Sequence, residues 1–242
     1  MVRRKARLSA ALLLAFAGAA LPAAALAQAY QCSLPAAPSA VPAIEQDGPT
    51  RLMPVSGYTL ALSWSPEFCR TRGDSPRHAR QCSGREGRFG FIVHGLWPNG
   101  RGESWPQWCP TRIDLNPAMV RRNMCMTPDT RLLARQWAKH GSCMGVQPQT
   151  WLRVTRVLWN SLRWPDFDRL SRRDDLTAGD IRTAFTEANP HWEVEHIGLR
   201  VNSRGWLQEM RLCYARDFKP MRCTPGRFGP AGDEEVKIWR GL

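Results

Sequence analysis

The chain has 242 residues and a formal net charge of +13. That length accommodates one domain with a sizeable core, and no low-complexity linker divides it, so a string of small modules is excluded. The excess of lysine and arginine points to an acidic partner, with nucleic acid or a membrane surface first, while plain solubility in a bacterial-type envelope is the alternative that charge alone leaves open.

The first element is a targeting segment. Arg3, Arg4, Lys5 and Arg7 precede an apolar, Ala-rich run from Ala10 to Ala25, and Ala25-Leu26-Ala27 offers a small-x-small cleavage site. This pattern predicts a secretory signal peptide over residues 1–27, removed after Ala27 or Ala29, and leaves about +9 on the mature protein. No later segment approaches the roughly 20 apolar residues of a membrane span, so an exported, soluble protein is expected, periplasmic or secreted. Cys32, Cys69, Cys82, Cys109, Cys125, Cys143, Cys213 and Cys223 all follow the cleavage site and meet an oxidising space, where an even count argues for disulfides. Zinc is the competing reading, but there is no CxxC pair and no HxxxH on a helix, so no metal site and no cofactor are expected.

Residues 28–50, rich in Pro and Ala without periodicity, predict an extended, poorly packed lead-in to a domain over 51–242. Tyr58 to Ser65 (YTLALSWS) reads as a buried strand and Phe89 to Val93 (FGFIV) as a second one, ending at His94. The stretch between them, with Cys69, Arg70, Arg72, Gly73, Pro76 and Arg80, reads as an exposed loop, and the segment from Gly100 to Pro110, crowded with Trp105, Trp108 and Cys109, as another loop. A helix is predicted to start at Thr127 as cap, with Pro128 in its first turn and Asp129 at the positive end of its dipole, and to stop near Gly141. A second runs from about Gln149 to Leu162, where Trp151, Val154, Leu158 and Leu162 recur at helical spacing. Thr177 with Asp180 resembles a capping arrangement for a third, through Ile181, Ala184 and Phe185 to Asn189-Pro190. Trp192 to Val201 and Trp206 to Tyr214 form an antiparallel pair around Asn202-Ser203-Arg204-Gly205. Helices and strands come in blocks, which predicts an α+β domain.

Two histidines carry the chemistry. At about 100° per residue, Arg135, Lys139, Gln136 and His140 fall within an arc of about 140°, with Leu133 and Trp137 continuing it on the apolar side. A guanidinium, an ammonium, an amide and an imidazole thus share one surface; a solvated polar face is the plain reading of it. His94 follows an apolar run, so a strand delivers it to the sheet margin, and Leu96-Trp97-Pro98 forms a stiff corner after Gly95. A histidine on a strand end and another on a cationic helix suit acid/base work on an anionic substrate. His78 reads as solvent-exposed, and His191 and His196 as structural.

FIVHGLWPN (Phe91 to Asn99) and WAKHGSC (Trp137 to Cys143) resemble the two signature boxes of the ribonuclease T2 family. LALSWSPEFC (Leu60 to Cys69) is similar to the strand before the first box and LQEMRLCYA (Leu207 to Ala215) to the late strand, so the resemblance spans nearly the whole mature chain. It implies a T2-like α+β domain, an antiparallel sheet with packed helices, that cleaves single-stranded RNA without a metal. The 2′-hydroxyl attacks phosphorus to give a 2′,3′-cyclic phosphate and then a 3′-phosphate, with broad base preference. DNA lacks that hydroxyl and would not be cleaved. By the same resemblance His140 is the general base, His94 the general acid and Lys139 the stabiliser of phosphoryl charge. Trp97 offers a base-stacking surface, with core packing as its alternative, and Asn99 a base-edge contact.

The second box departs from the family's HEWxKHG. Arg135 replaces the first histidine and can still bind phosphate, whereas Gln136, at the place of the family's glutamate, keeps a hydrogen-bonding amide but no charge. A catalytically impaired RNA-binding protein on the same fold is therefore the alternative function. A metal-dependent nuclease would need an acidic ligand cluster that the sequence lacks. The disulfide framework implied by the resemblance pairs Cys109 with Cys143, Cys213 with Cys223 and Cys69 with Cys82, leaving Cys32 with Cys125.

Overall fold

Alternation organises the sheet. In the computed structural model, which describes residues 32–37 and 39–241, β1 (Gly57–Trp64) places Leu60 and Leu62 on one face, fully buried, and Thr59, Ala61 and Ser63 on the other. It pairs antiparallel with β2 (Phe91–Asn99) and with β4 (Leu207–Ala215), and β4 pairs with β3 (Ile197–Val201), giving the order β2-β1-β4-β3. Ile197, Leu199, Met210 and Leu212 extend the apolar face. Glu209 and Arg211 lie on the opposite face with Gly198 and Arg200, by the same two-residue period. The signal-peptide expectation lies outside the described residues.

The helices are α1 (Ser65–Arg72), α2 (Ala79–Cys82), α3 (Pro117–Arg122), α4 (Thr130–Lys139), α5 (Pro148–Asn160), α6 (Phe167–Leu170), α7 (Ala178–Ala188) and α8 (Pro225–Phe228). Leu133 and Trp137 of α4 and Trp151, Leu152 and Leu158 of α5 bury the apolar sides of their helices in one core with Leu60, Leu62 and Leu96. The Trp137 and Trp151 rings meet at 5.7 Å, and the Trp151 indole donates to the Leu96 carbonyl at 3.2 Å. Gly141 is required beside them, because a Cβ there would lie 2.6 Å from the Trp137 ring. The result is a single α+β domain with a four-stranded antiparallel sheet.

Several sequence expectations need correction. The strand predicted to end at His94 runs on to Asn99: Ala61 faces Gly95 while Leu62 faces Val93, so His94 is the extra residue of a β-bulge. Pro98 fits in the strand because β2 is a sheet edge. Thr127 does not cap α4; it is fully buried and its hydroxyl donates to the Val93 carbonyl at 2.8 Å, while Asp129 accepts from Leu132 N and is the cap. The exposed loop expected after β1 instead contains α1 and α2, clasped by Cys69–Cys82. Within it His78 is not open to solvent, since Phe68 packs edge-on against its ring and Asp129 lies 3.7 Å away. The strand predicted from Trp192 starts only at Ile197, because Val194–His196 forms a short 3-10 turn.

The remaining disulfides join Cys109–Cys143, Cys213–Cys223 and Cys32–Cys125, the last being the pair left over once the others are assigned. Residues 39–50 have no helix or strand, yet they are not loosely packed: Val41 touches the core, Thr50 bonds the Trp108 carbonyl, and Asp47 reaches α4. Among the described residues no helix is long and apolar enough to cross a membrane.

Candidate active site

The bulge in β2 and the end of α4 face one another across a tryptophan. Trp97 stands 5.1 Å, ring to ring, from His94 and 5.4 Å from His140, and its indole N–H donates to Gln136 Oε1 at 2.6 Å. Gly95 makes this possible, because a Cβ there would run into Trp97 Nε1 and Gln136 Oε1. The room left by Gly95 is thus filled by protein, and Trp97 is neither a core residue nor freely exposed: it spaces the two imidazoles. Gln136 is buried, and its amide oxygen is occupied in holding that spacer.

His94 has a partner that the sequence reading missed. Its Nδ1 lies 2.7 Å from Glu209 Oε2, and Glu209 Oε1 accepts from Arg211 Nε at 2.7 Å. The Glu209 side chain is 6 % exposed. Burial by itself would raise its pKa, but the hydrogen bond and charge of His94, with the charge and hydrogen bond of Arg211, hold it at about 2. A buried carboxylate on Nδ1 fixes the ring so that Nε2 is the nitrogen left for substrate. The signal was present in QEMRL, where charged residues alternate with buried apolar ones, but alternation alone does not say that the charged face lies in a cleft.

His140 is treated oppositely. It follows the last residue of α4, with its Nδ1 buried and unpartnered among the described residues. Burial, reinforced by the charges of Lys139, His94 and Arg135 and opposed by Asp47, lowers its pKa to about 3, so the ring is neutral at ordinary pH. The loop after β2 is fixed to this helix end by Cys109–Cys143 and by Trp108 N donating to the Lys139 carbonyl at 2.8 Å.

Lys139 and Arg135 share one anion. Asp47 Oδ1 lies 3.1 Å from Lys139 Nζ, and its Oδ2 pairs with Arg135 Nη2. These hydrogen bonds, from Arg135 first and Lys139 second, hold Asp47 at about 2. Nothing in the sequence around Asp47 announces this contact, since the segment lacks periodicity. Asn99 is buried and donates from Nδ2 to Thr59 Oγ1 at 2.9 Å. Thr59, Trp97, Asn99, Trp105, Lys139 and His140 line a cleft of about 660 Å³. Of the residues singled out from sequence, His94, Gln136 and Arg135 are not part of this lining, although His94 and Gln136 both meet Trp97, and His78, His191 and His196 lie outside it as well. Among the described residues no three His, Cys, Asp or Glu side chains are grouped so as to hold a metal ion.

Comparison with known proteins agrees with this architecture. The profile of the ribonuclease T2 family matches residues 56–156. A probable ribonuclease of Haemophilus influenzae is 32% identical over 180 residues, covering 70% of this chain and 61% of that protein. A ribonuclease of Aeromonas hydrophila is 40% identical over 89 residues, covering 37% of this chain and 38% of that protein. The chain thus spans less than two thirds of the length of either relative. Among solved structures, trichomaglin, an S-like ribonuclease, shares the fold with a TM-score of 0.58 at 23% identity, covering 71% of this chain and 92% of that one. Residues of both signature boxes, Trp97 and Asn99 from the first and Lys139 and His140 from the second, line one cleft, and it is the segment carrying these boxes that matches the ribonuclease T2 family.

Proposed function

We propose that this protein is a metal-independent endoribonuclease that cleaves single-stranded RNA by transphosphorylation. The observation that carries the reading is the unequal setting of the two histidines: His140 is held neutral, whereas His94 is backed by an ionised, buried carboxylate. Neutral His140 takes the proton from the ribose 2′-hydroxyl as the O2′–P bond forms. The His94 imidazolium gives its Nε2 proton to O5′ as the P–O5′ bond breaks, which leaves a 2′,3′-cyclic phosphate. In the second step neutral His94 takes a proton from water as its oxygen bonds to phosphorus, the P–O2′ bond breaks, and His140 returns its proton to O2′, leaving a 3′-phosphate. Each histidine contributes on the order of 10²–10⁴-fold. Lys139, at the same wall of the cleft, offers its ammonium to the phosphoryl oxygens. DNA has no 2′-hydroxyl and is not a substrate for this reaction.

The test is digestion of homopolymer RNA in EDTA by the parent and by His94→Ala and His140→Ala. Metal-independent cleavage lost in both variants is expected. RNA bound but left intact by the parent across pH 4 to 8 would instead identify an RNA-binding protein. Export is part of the proposal, and the four disulfides fit an oxidising compartment. N-terminal sequencing of the mature protein should begin at Gln28 or Tyr30.

A further inference from the structure

The arginines on the sheet side of the cleft have no part in the reaction just described. Arg200 of β3 is exposed, lines the same cleft as His140 and Lys139, and sits opposite Glu209 in the β3–β4 register. Among the described residues its side chain has no hydrogen bond or ion pair. Arg211, on the same sheet face, commits Nε to Glu209 and brings its guanidinium carbon 5.9 Å from the centre of the Trp97 ring. Arg227 differs: it bonds the Gly102 and Ser104 carbonyls and Thr224 Oγ1, and so serves the scaffold. Glu103, the carboxylate that also lines the cleft, accepts from Gly226 N at 2.9 Å and has Arg227 at 4.0 Å, so its charge is already countered.

An RNA strand that places its scissile phosphate between His94 and His140 must place its next phosphate one nucleoside away. His94 serves the leaving oxygen, and behind His94 stand Glu209 and Arg211, with Arg200 across the ladder. We propose that Arg200, with Arg211 beside it, forms a second phosphate subsite that holds the phosphate on the 3′ side of the leaving nucleoside. The inference rests on the proposed reaction and on His94 as its general acid. Guanidinium groups suit this task because their charge does not titrate and their planar donors match phosphate oxygens. The consequence is a preference for oligonucleotides over dinucleotides.

The experiment compares three substrates: a dinucleoside monophosphate, the same compound with an added 3′-phosphate, and the same compound with an added 5′-phosphate. In the parent the 3′-phosphate raises kcat/KM. In Arg200→Ala the ratio of the 3′-phosphorylated to the plain substrate falls by roughly three- to tenfold, the range for one partly solvated charged contact. The ratio for the 5′-phosphorylated substrate stays at its parental value, and the slope of log K against log salt for binding a homopolymer becomes shallower by about 0.7. Arg200→Lys recovers part of the ratio. An unchanged ratio in Arg200→Ala, or a loss confined to the 5′-phosphorylated substrate, overturns the subsite. Failure of the parent to cleave any of the three overturns the proposed reaction and the subsite with it.

Discussion

Replacing Glu209 by glutamine removes the negative charge behind His94 while keeping the size and a hydrogen-bonding oxygen. Holding this carboxyl at about 2, rather than at its ordinary 4.5, corresponds to about 3 kcal/mol in favour of the carboxylate, at about 1.4 kcal/mol per tenfold. His94 first and Arg211 second supply that preference against the cost of burial. Losing the carboxylate makes the imidazolium give up its proton more readily. The alkaline limb of the kcat/KM profile should then move to lower pH, with roughly a ten- to hundredfold loss at neutral pH, part of the full effect of a general acid. Stability responds with its own sign. A carboxyl whose folded value is depressed stabilises the fold above 4.5 and loses that contribution as pH falls toward 2, so the variant should show a weaker acid dependence of Tm than the parent over that window. The assay is a pH–rate series on a dinucleoside substrate, with Glu209→Asp as a variant that keeps the charge. A folded Glu209→Gln protein with the parental rate and an unmoved alkaline limb would refute the positioning role.

Three further outcomes follow from the same contacts. Asp47→Asn leaves Arg135 and Lys139 without their shared anion, so substrate should bind more tightly and with a steeper salt dependence; an unchanged KM at low salt would show that Asp47 does not compete with phosphate. Gln136→Glu retains an acceptor for Trp97 and adds a buried charge near Lys139 and Arg135, which should alter the rate and its pH profile; no change in either would remove Gln136 from the mechanism. Replacing Cys109 and Cys143 together by alanine opens a loop of 34 residues and should cost about 4 kcal/mol in the chain-entropy description, read as a lower midpoint in denaturant.

The legible parts of this chain were those whose determinants are local. The α7 cap could be read from Thr177 and Asp180, and both of its reciprocal hydrogen bonds are formed, because a capping box needs only residues three apart. The polar arc of α4 could be read from helical spacing, and Gln136, Lys139 and His140 do meet near the cleft while Leu133 and Trp137 enter the core. Misreadings occurred where a partner distant in sequence took over. Thr127 looked like a cap but bonds Val93, so Asp129 caps instead. The predicted end of β2 at His94 ignored the facing strand, whose register turns this position into a bulge. Arg182 of α7 is buried on carbonyls of Ile197, Phe228 and Pro230, contacts that helical periodicity does not announce.

By itself the sequence determined the class of fold, the two histidine segments, the helix faces and the resemblance to a ribonuclease family, since each depends on residue types at short, fixed spacing. The tertiary structure decided how those segments act together. It placed Trp97 between the imidazoles, gave His94 its carboxylate from a strand 115 residues away, and brought Asp47 92 residues along the chain to the cations of α4. Charges at such separations meet only when the sheet register and the helix packing are fixed, and those are set by burial of the whole core rather than by any one segment.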